Sequence, residues 1–94
     1  MKRYYLKHED PALPFTFGRA TLGAAGYHYH SHDYTELVII TGGSGIHTAG
    51  GDDYPVSTGD IFVLHRGRQH GFSRCSNLTM YNIGLRDDII PKHI

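Results

Sequence analysis

Apolar and aromatic side chains occur in short runs that glycine, proline, serine and aspartate interrupt. Nowhere do apolar residues recur at helical spacing over ten or more positions, so the pattern predicts strands rather than helices. The predicted strands are Tyr4–Leu6, Phe15–Leu22, Glu36–Thr41, Ile46–Ala49, Tyr54–Val56, Ile61–Leu64, Gly71–Arg74 and Leu78–Leu85. Strands this short and this closely spaced are typical of an all-β sandwich or barrel.

Turn-forming residues predict where these strands end. Glu36–Thr41 is apolar on both faces, as expected of a strand buried in a barrel, and the glycines Gly42, Gly43 and Gly45 are predicted to end it. Gly50-Gly51-Asp52-Asp53 is predicted to form a hairpin turn.

A histidine cluster carries the candidate chemistry. His28, His30 and His32 are spaced by two, so an extended strand would place them on one face, and Glu36 has the same parity. With His70 from a neighbouring strand, these side chains suffice to hold a divalent ion such as Zn, Fe, Mn or Ni. Alternatively, a polar barrel mouth holds them by hydrogen bonds alone. The histidines predicted to lie on the surface are His8, His47 and His93.

Two blocks of sequence carry a family resemblance. The first has His30-x-His32, three residues, Glu36, six residues and Gly43; the second has Gly59, seven residues, Gly67, two residues and His70. Together they resemble the two signature blocks of the cupin superfamily. This resemblance implies a cupin-type double-stranded β-helix, a small jelly-roll barrel, with the metal-ligand candidates His30, His32, Glu36 and His70.

Within that superfamily the chain resembles the N-terminal sensor domains of AraC-type transcription regulators, and among them the rhamnose-operon regulators. The pieces that carry this are His32-Asp33-Tyr34 before Glu36-Leu37, then Gly59-Asp60, then His70 with Phe72. The resemblance implies an effector pocket, with a monosaccharide as the expected effector. The ligand-binding candidates are His28, His30, His32, Glu36, His70, Phe72, Met80 and Asn82.

The same resemblance implies a larger protein. Residues 1–94 are expected to form a single domain, the effector-binding fragment of a longer regulator that is a homodimer. DNA binding is expected only through a C-terminal helix-turn-helix domain, which these residues do not contain. Nine basic and nine acidic residues cancel, which argues against DNA binding by this domain itself, because phosphate contact needs a basic face.

Other features of the composition bear on the compartment in which the protein is expected. The lone Cys75 excludes an intramolecular disulfide and fits a reducing compartment. Neither a signal peptide nor an apolar run of membrane length is recognisable, so a cytoplasmic protein without a membrane partner is expected.

The sequence therefore predicts an effector-sensing domain that is not an enzyme and requires no cofactor. The alternative is a stand-alone, metal-dependent cupin enzyme, such as a dioxygenase or sugar isomerase, for which the four ligand candidates are the argument.

Overall fold

Seven strands joined in one hydrogen-bonded sheet form the domain. The computed structural model describes residues 4–6 and 15–85. The strands are β1 (Tyr4–Leu6), β2 (Phe15–Leu22), β3 (Tyr27–His32), β4 (Thr35–Ala49), β5 (Asp52–Ser57), β6 (Ile61–Leu64) and β7 (His70–Leu85). No helix occurs in this part of the chain, which confirms the predicted all-β class. Accordingly, the described residues include no helix able to cross a membrane.

The two long strands β4 and β7 pair antiparallel along most of their length and give the sheet two halves. In one half, the beginning of β4 and the end of β7 are flanked by β6 and β2. In the other half, the end of β4 and the beginning of β7 are flanked by β5 and β3, and β1 pairs with β3. Thus β2 and β3 flank β7, β6 and β5 flank β4, and β1 lies beyond β3.

Glycines bend β4 rather than ending it, which corrects two of the predicted boundaries. Glu36–Thr41 and Ile46–Ala49 belong to one strand, and so do Gly71–Arg74 and Leu78–Leu85. Between Ile40 and Ile46 the pairing shifts register three times. Two of these shifts leave an extra residue on β7, at Asn77 and at Arg74. Both residues have positive φ, so the backbone of β7 is left-handed there.

The β4–β5 turn is the predicted hairpin. Ala49 pairs with Asp52, which leaves Gly50 and Gly51 as a two-residue loop with φ values of 60° and 84°. Positive φ at both positions matches the right-handed twist of the strands, and glycine adopts it without steric cost.

The hydrophobic core lies between the two halves. It consists of Val38, Ile40, Val56, Leu64, Phe72, Cys75, Leu78 and Met80, all buried. Because β4 and β7 run through both halves, each contributes core side chains before or after its bend. The polar residues of the interior lie beside this core rather than within it.

We expect Gly43→Ala to destabilise the fold strongly. Gly43 has φ of 72°, and a Cβ there would overlap the carbonyl oxygens of Ser76 and Asn77. The loss should be about 2–4 kcal/mol of unfolding free energy, measured by urea denaturation. Gly18→Ala is the control, because nothing lies within 4 Å of its added Cβ. Equal stabilities of the two variants would contradict this account of the bend.

Candidate functional site

A cavity of about 460 Å³ opens between strands β2 and β3. Its size falls within the range of small-molecule sites. The lining residues are Phe17, Gly18, Ala20, Leu22, Tyr27, His30, Tyr34, Glu36, His70, Phe72, Met80, Asn82 and Gly84. The wall is thus mainly apolar and aromatic, with a few polar groups at its inner side.

Three buried histidines meet beside this cavity. One ring nitrogen from each of His30, His32 and His70 lies within 4.8 Å of those of the other two. His30 and His32 alternate along β3, and His70 on β7 lies opposite His30 in the strand register. Imidazoles gathered this closely would repel one another if protonated, so the cluster suits neutral rings that share a cation or a ligand.

Hydrogen bonds to the main chain fix the tautomers of two of these rings. Nδ1 of His30 lies 2.9 Å from the carbonyl oxygen of His28, and Nδ1 of His32 lies 2.7 Å from that of Tyr34. Because a carbonyl only accepts, each Nδ1 carries the proton and donates it. In the neutral rings, Nε2 is therefore left with its lone pair free, as in metal-ligating histidines.

The third ring is held by another side chain. Nδ1 of His70 lies 3.3 Å from Nε2 of His47, within hydrogen-bond distance, while Nε2 of His70 is buried without a partner. His47 was expected on the surface, and that prediction is wrong: only 4% of it is exposed. Its ring packs between Phe62 and Phe72, 4.7 and 4.9 Å from their ring centres. His8 and His93, predicted with it, lie outside the described residues.

Glu36 reaches the cluster from the opposite half of the sheet. A regular strand would have added Glu36 to the histidine face, but β3 ends at His32, and Glu36 lies on β4, near the start of the separately predicted strand Glu36–Thr41. The bend at Asp33 and Tyr34 separates the two strands. Even so, a carboxylate oxygen of Glu36 lies 3.0 Å from Nε2 of His32.

Glu36 approaches His32 within ion-pair distance, but Nε2 has no hydrogen-bond partner despite that short distance. In the neutral tautomer fixed by Tyr34, a lone pair faces a carboxylate. That contact requires a proton or a metal cation between the two groups.

Asn82 adds a further unpaired group. Its Oδ1 is buried without a hydrogen-bond partner, and the residue lines the cavity. Buried amide oxygens are nearly always paired, because leaving one unpaired costs free energy. This atom therefore marks a place where a bound molecule can donate a hydrogen bond.

The predicted site residues differ in their position relative to the cavity. His30, Glu36, His70, Phe72, Met80 and Asn82 line the cavity. His32 is completely buried beside it. His28 lies at the exposed start of β3 and is not among the lining residues; its main-chain carbonyl serves the site instead.

Sequence reasoning did not include four residues of this region, Phe17, Tyr27, Tyr34 and His47. The tyrosines alternate with the histidines, and that alternation was a usable signal. Tyr34 stacks on His32 with ring centres 4.2 Å apart. Phe17 stacks on Tyr81 at 5.4 Å and remains 63% exposed at the rim of the cavity. Nothing local to Phe17 or His47 marked either as part of a site.

Burial controls the charge of the cluster. It lowers the pKa of His70 to about 2, with the neighbouring His30, His32 and His47 acting in the same direction. It lowers the pKa of His47 to about 4, opposed by the carboxylate of Glu36. The pKa of His30 is also lowered by burial, against the effect of its hydrogen bond to His28. These rings are therefore neutral at pH 7.

We predict that acid destabilises the fold through His47 and His70. Unfolded histidines bind protons below about pH 6.5, whereas these two bind them only near pH 4 and 2. The unfolding free energy should thus fall below pH 6.5, by up to about 1.4 kcal/mol per pH unit for each histidine.

Urea denaturation between pH 7.5 and 5 measures this slope. His47→Leu should reduce this slope by up to about 1.4 kcal/mol per pH unit, because it removes one buried titrating ring. An unchanged slope in that variant would mean that His47 is protonated in the folded protein, against the geometry described above.

Comparison with known proteins places the chain in a family. Residues 14–92 match the family model described as AraC-like ligand binding domain. The HTH-type transcriptional activator RhaR of Escherichia coli O1:K1 is 35% identical over 54 residues, which are 57% of this chain and 19% of the relative. The match thus spans about a fifth of the relative's length. The resemblance to the sensor domains of AraC-type regulators is confirmed.

Solved structures agree on the fold. A cupin protein from Bacteroides fragilis superposes with a TM-score of 0.72 at 20% identity, over 88% of this chain and 75% of that one. A predicted oxalate decarboxylase from Thermotoga maritima gives 0.67 at 23% identity, over 74% and 64%. These likenesses confirm the cupin barrel and bear on fold alone. On the family match over most of its length, the chain belongs to the AraC-like ligand binding domain family.

Proposed function

We propose that this domain senses a small, polyhydroxylated effector, a monosaccharide, in the cavity between β2 and β3. The observation that carries the proposal is the pair of unpaired buried atoms at the cavity, Oδ1 of Asn82 and Nε2 of His70. An amide oxygen only accepts, and so does Nε2 when Nδ1 holds the proton. The carboxylate of Glu36 adds further acceptors. In the other tautomer of His70, Nε2 donates. A molecule with adjacent hydroxyl groups satisfies all three groups in either case, because each hydroxyl can donate and accept.

The charge of the cavity argues for a neutral ligand. None of the described residues that line it is Arg or Lys, so an acid or a phosphate would face Glu36 without compensation. Aromatic side chains such as Phe72 and Tyr27 offer apolar surface for the C–H face of a sugar ring. Rhamnose-like sugars are the first candidates, because the sequence resembles the rhamnose-operon regulators.

The proposed regulatory role belongs to a longer protein. In it, effector binding to this domain shifts a conformational equilibrium that a helix-turn-helix domain reads at the promoter. The full-length regulator is proposed to act as a homodimer. The family to which this chain belongs, and its match to a transcriptional activator, support the regulatory role.

The metal-dependent cupin enzyme remains a second candidate, favoured by the three clustered histidines, in two of which the main chain leaves Nε2 as the unprotonated nitrogen of the neutral ring. The donor set fits a divalent ion such as Zn, Fe, Mn or Ni, which His30, His32, Glu36 and His70 would hold. When bound, such an ion supplies Lewis acidity towards a hydroxyl or carbonyl of the bound molecule. The chain's own groups orient that molecule through Asn82 and shield it with Phe72.

Replacing Asn82 by Leu should move stability and binding in opposite directions. The unfolding free energy should rise by about 1 kcal/mol, because an unpaired buried acceptor is removed. Affinity for the effector should fall by about 1–3 kcal/mol, because a ligand hydroxyl loses its acceptor. Urea denaturation and titration calorimetry against a panel of monosaccharides, L-rhamnose included, measure the two effects.

Asp52→Ala is the matched control, since it removes a polar side chain from the exposed start of β5 and should leave affinity unchanged. If Asn82→Leu weakens the fold and leaves binding intact, Asn82 is a structural residue and the proposed ligand contact is wrong.

Metal binding should stabilise the protein through the histidine cluster. Zn²⁺ at a hundredfold excess over its Kd should raise the unfolding free energy by about 2.7 kcal/mol. His32→Ala should abolish this increment, and His65→Ala, which removes an exposed histidine, should retain it. Elemental analysis of protein purified without chelator gives an independent readout. An increment that survives His32→Ala would assign the metal to another site.

A further inference from the structure

We propose a second binding site, in the opening between β5 and β6, for a small molecule that combines an apolar body with a carboxylate group. This opening lies on the opposite side of β4 from β7. It encloses about 450 Å³, nearly the volume of the first cavity, but its lining has a different chemistry.

The pairing of β4 creates the opening. On its outer side, β4 pairs first with β6, through Glu36–Ile39, and then with β5, through Ser44–Ala49. The turn at Ser57–Asp60 carries the chain from one outer strand to the other, and Gly59 and Asp60 exchange main-chain hydrogen bonds with Ile40 between them. The two outer strands therefore diverge on either side of Ile40 instead of pairing with each other.

Apolar side chains surround this opening and remain in contact with water. Ile61 is 64% exposed, Tyr54 50% and Val63 40%, and all three line the opening. They are three of the five large hydrophobic residues exposed in the described part of the chain. A bound apolar group would remove this surface from water, which is the main source of affinity in such sites.

Arg68 gives the site its preference for an anion. It lines the opening, and its guanidinium passes over the Gly50 turn. No acidic side chain in residues 4–6 and 15–85 pairs with it. The carboxylate of Asp60, also in the lining, instead accepts the main-chain N–H of Ser57 at 2.8 Å. An unpaired guanidinium beside an apolar wall favours a carboxylate, whose two oxygens match its geometry.

His47 joins the new site to the first cavity. It is the buried polar residue of the second lining, and its Nε2 lies 3.3 Å from Nδ1 of His70, which lines the first cavity. A molecule in the second opening thus contacts a ring that positions a residue of the proposed effector site. Among the residues that the structure describes, the lining of the first cavity contains neither Arg nor Lys, so the two sites select different ligands.

The test is an NMR titration of the uniformly ¹⁵N-labelled chain with isovalerate, benzoate and phenylacetate. At least one of these acids should produce saturable shifts in the amides of β5 and β6. The amide of the same acid should bind about tenfold more weakly or worse, because it forms no ion pair with Arg68. Arg68→Gln should weaken the acid to the same degree.

Two variants give the matched controls. Arg19→Gln removes an exposed arginine from β2 that lines neither the first cavity nor the second opening. This variant should retain binding. Asn82→Leu alters the first cavity and should also retain it, which separates this proposal from that of the effector site.

Three results would overturn the proposal. The first is the absence of saturable shifts with all three acids. The second is equal binding of acid and amide, or of wild type and Arg68→Gln. The third is concentration-dependent shifts of Ile61 and Val63 without ligand, which would assign this face to contact with a second copy of the chain.

Discussion

The close approach of β4 to β7 at their shared bend is the constraint on which the rest of the barrel depends. There the main chain of Gly43 lies against the carbonyls of Ser76 and Asn77, with no room for a side chain. Because both strands bend at the same level, one ladder of hydrogen bonds serves two facing halves. The space between the halves is therefore defined by the main chain, and the side chains only fill it.

That bend also brings together the polar groups of the site. His30 and His32 belong to one half, with His70 at the beginning of β7, whereas Glu36 and Asn82 belong to the other. In a flat sheet, the groups of one half would not meet those of the other. A molecule held by groups from both halves at once would tie the halves to each other, which is a direct physical route from ligand binding to a change in the barrel.

The sequence predicted what depends on local pattern. Short runs of apolar residues located the strands, and the alternation of His30 and His32 predicted neighbouring rings. Glu36 was identified as a site residue and as the start of a strand. Its parity with the histidines was not the reason that it reaches them, because the chain bends at Asp33 and Tyr34 between the two strands. A side chain can reach the cluster from the same strand or from a neighbouring one. The two-residue spacing along the sequence does not distinguish these arrangements.

What the sequence did not predict depends on partners distant in the chain. Whether Gly43 ends a strand or bends it is decided by β7, which continues past it more than thirty residues later. His47 was predicted to lie on the surface. Its burial comes from packing against Phe62 and Phe72, and the local pattern around residue 47 contains no trace of either contact.

The hydrogen bonds behind the three clustered rings have an evolutionary consequence. Two of the rings donate to main-chain carbonyls, and no substitution removes a carbonyl. The third depends on the side chain of His47, which a single codon change replaces. Descendants of this barrel can therefore lose or regain the orientation of His70 while the ligand motif itself stays intact. Position 47 is therefore a place where the geometry of the cluster can change without any change in His30, His32 or His70 themselves.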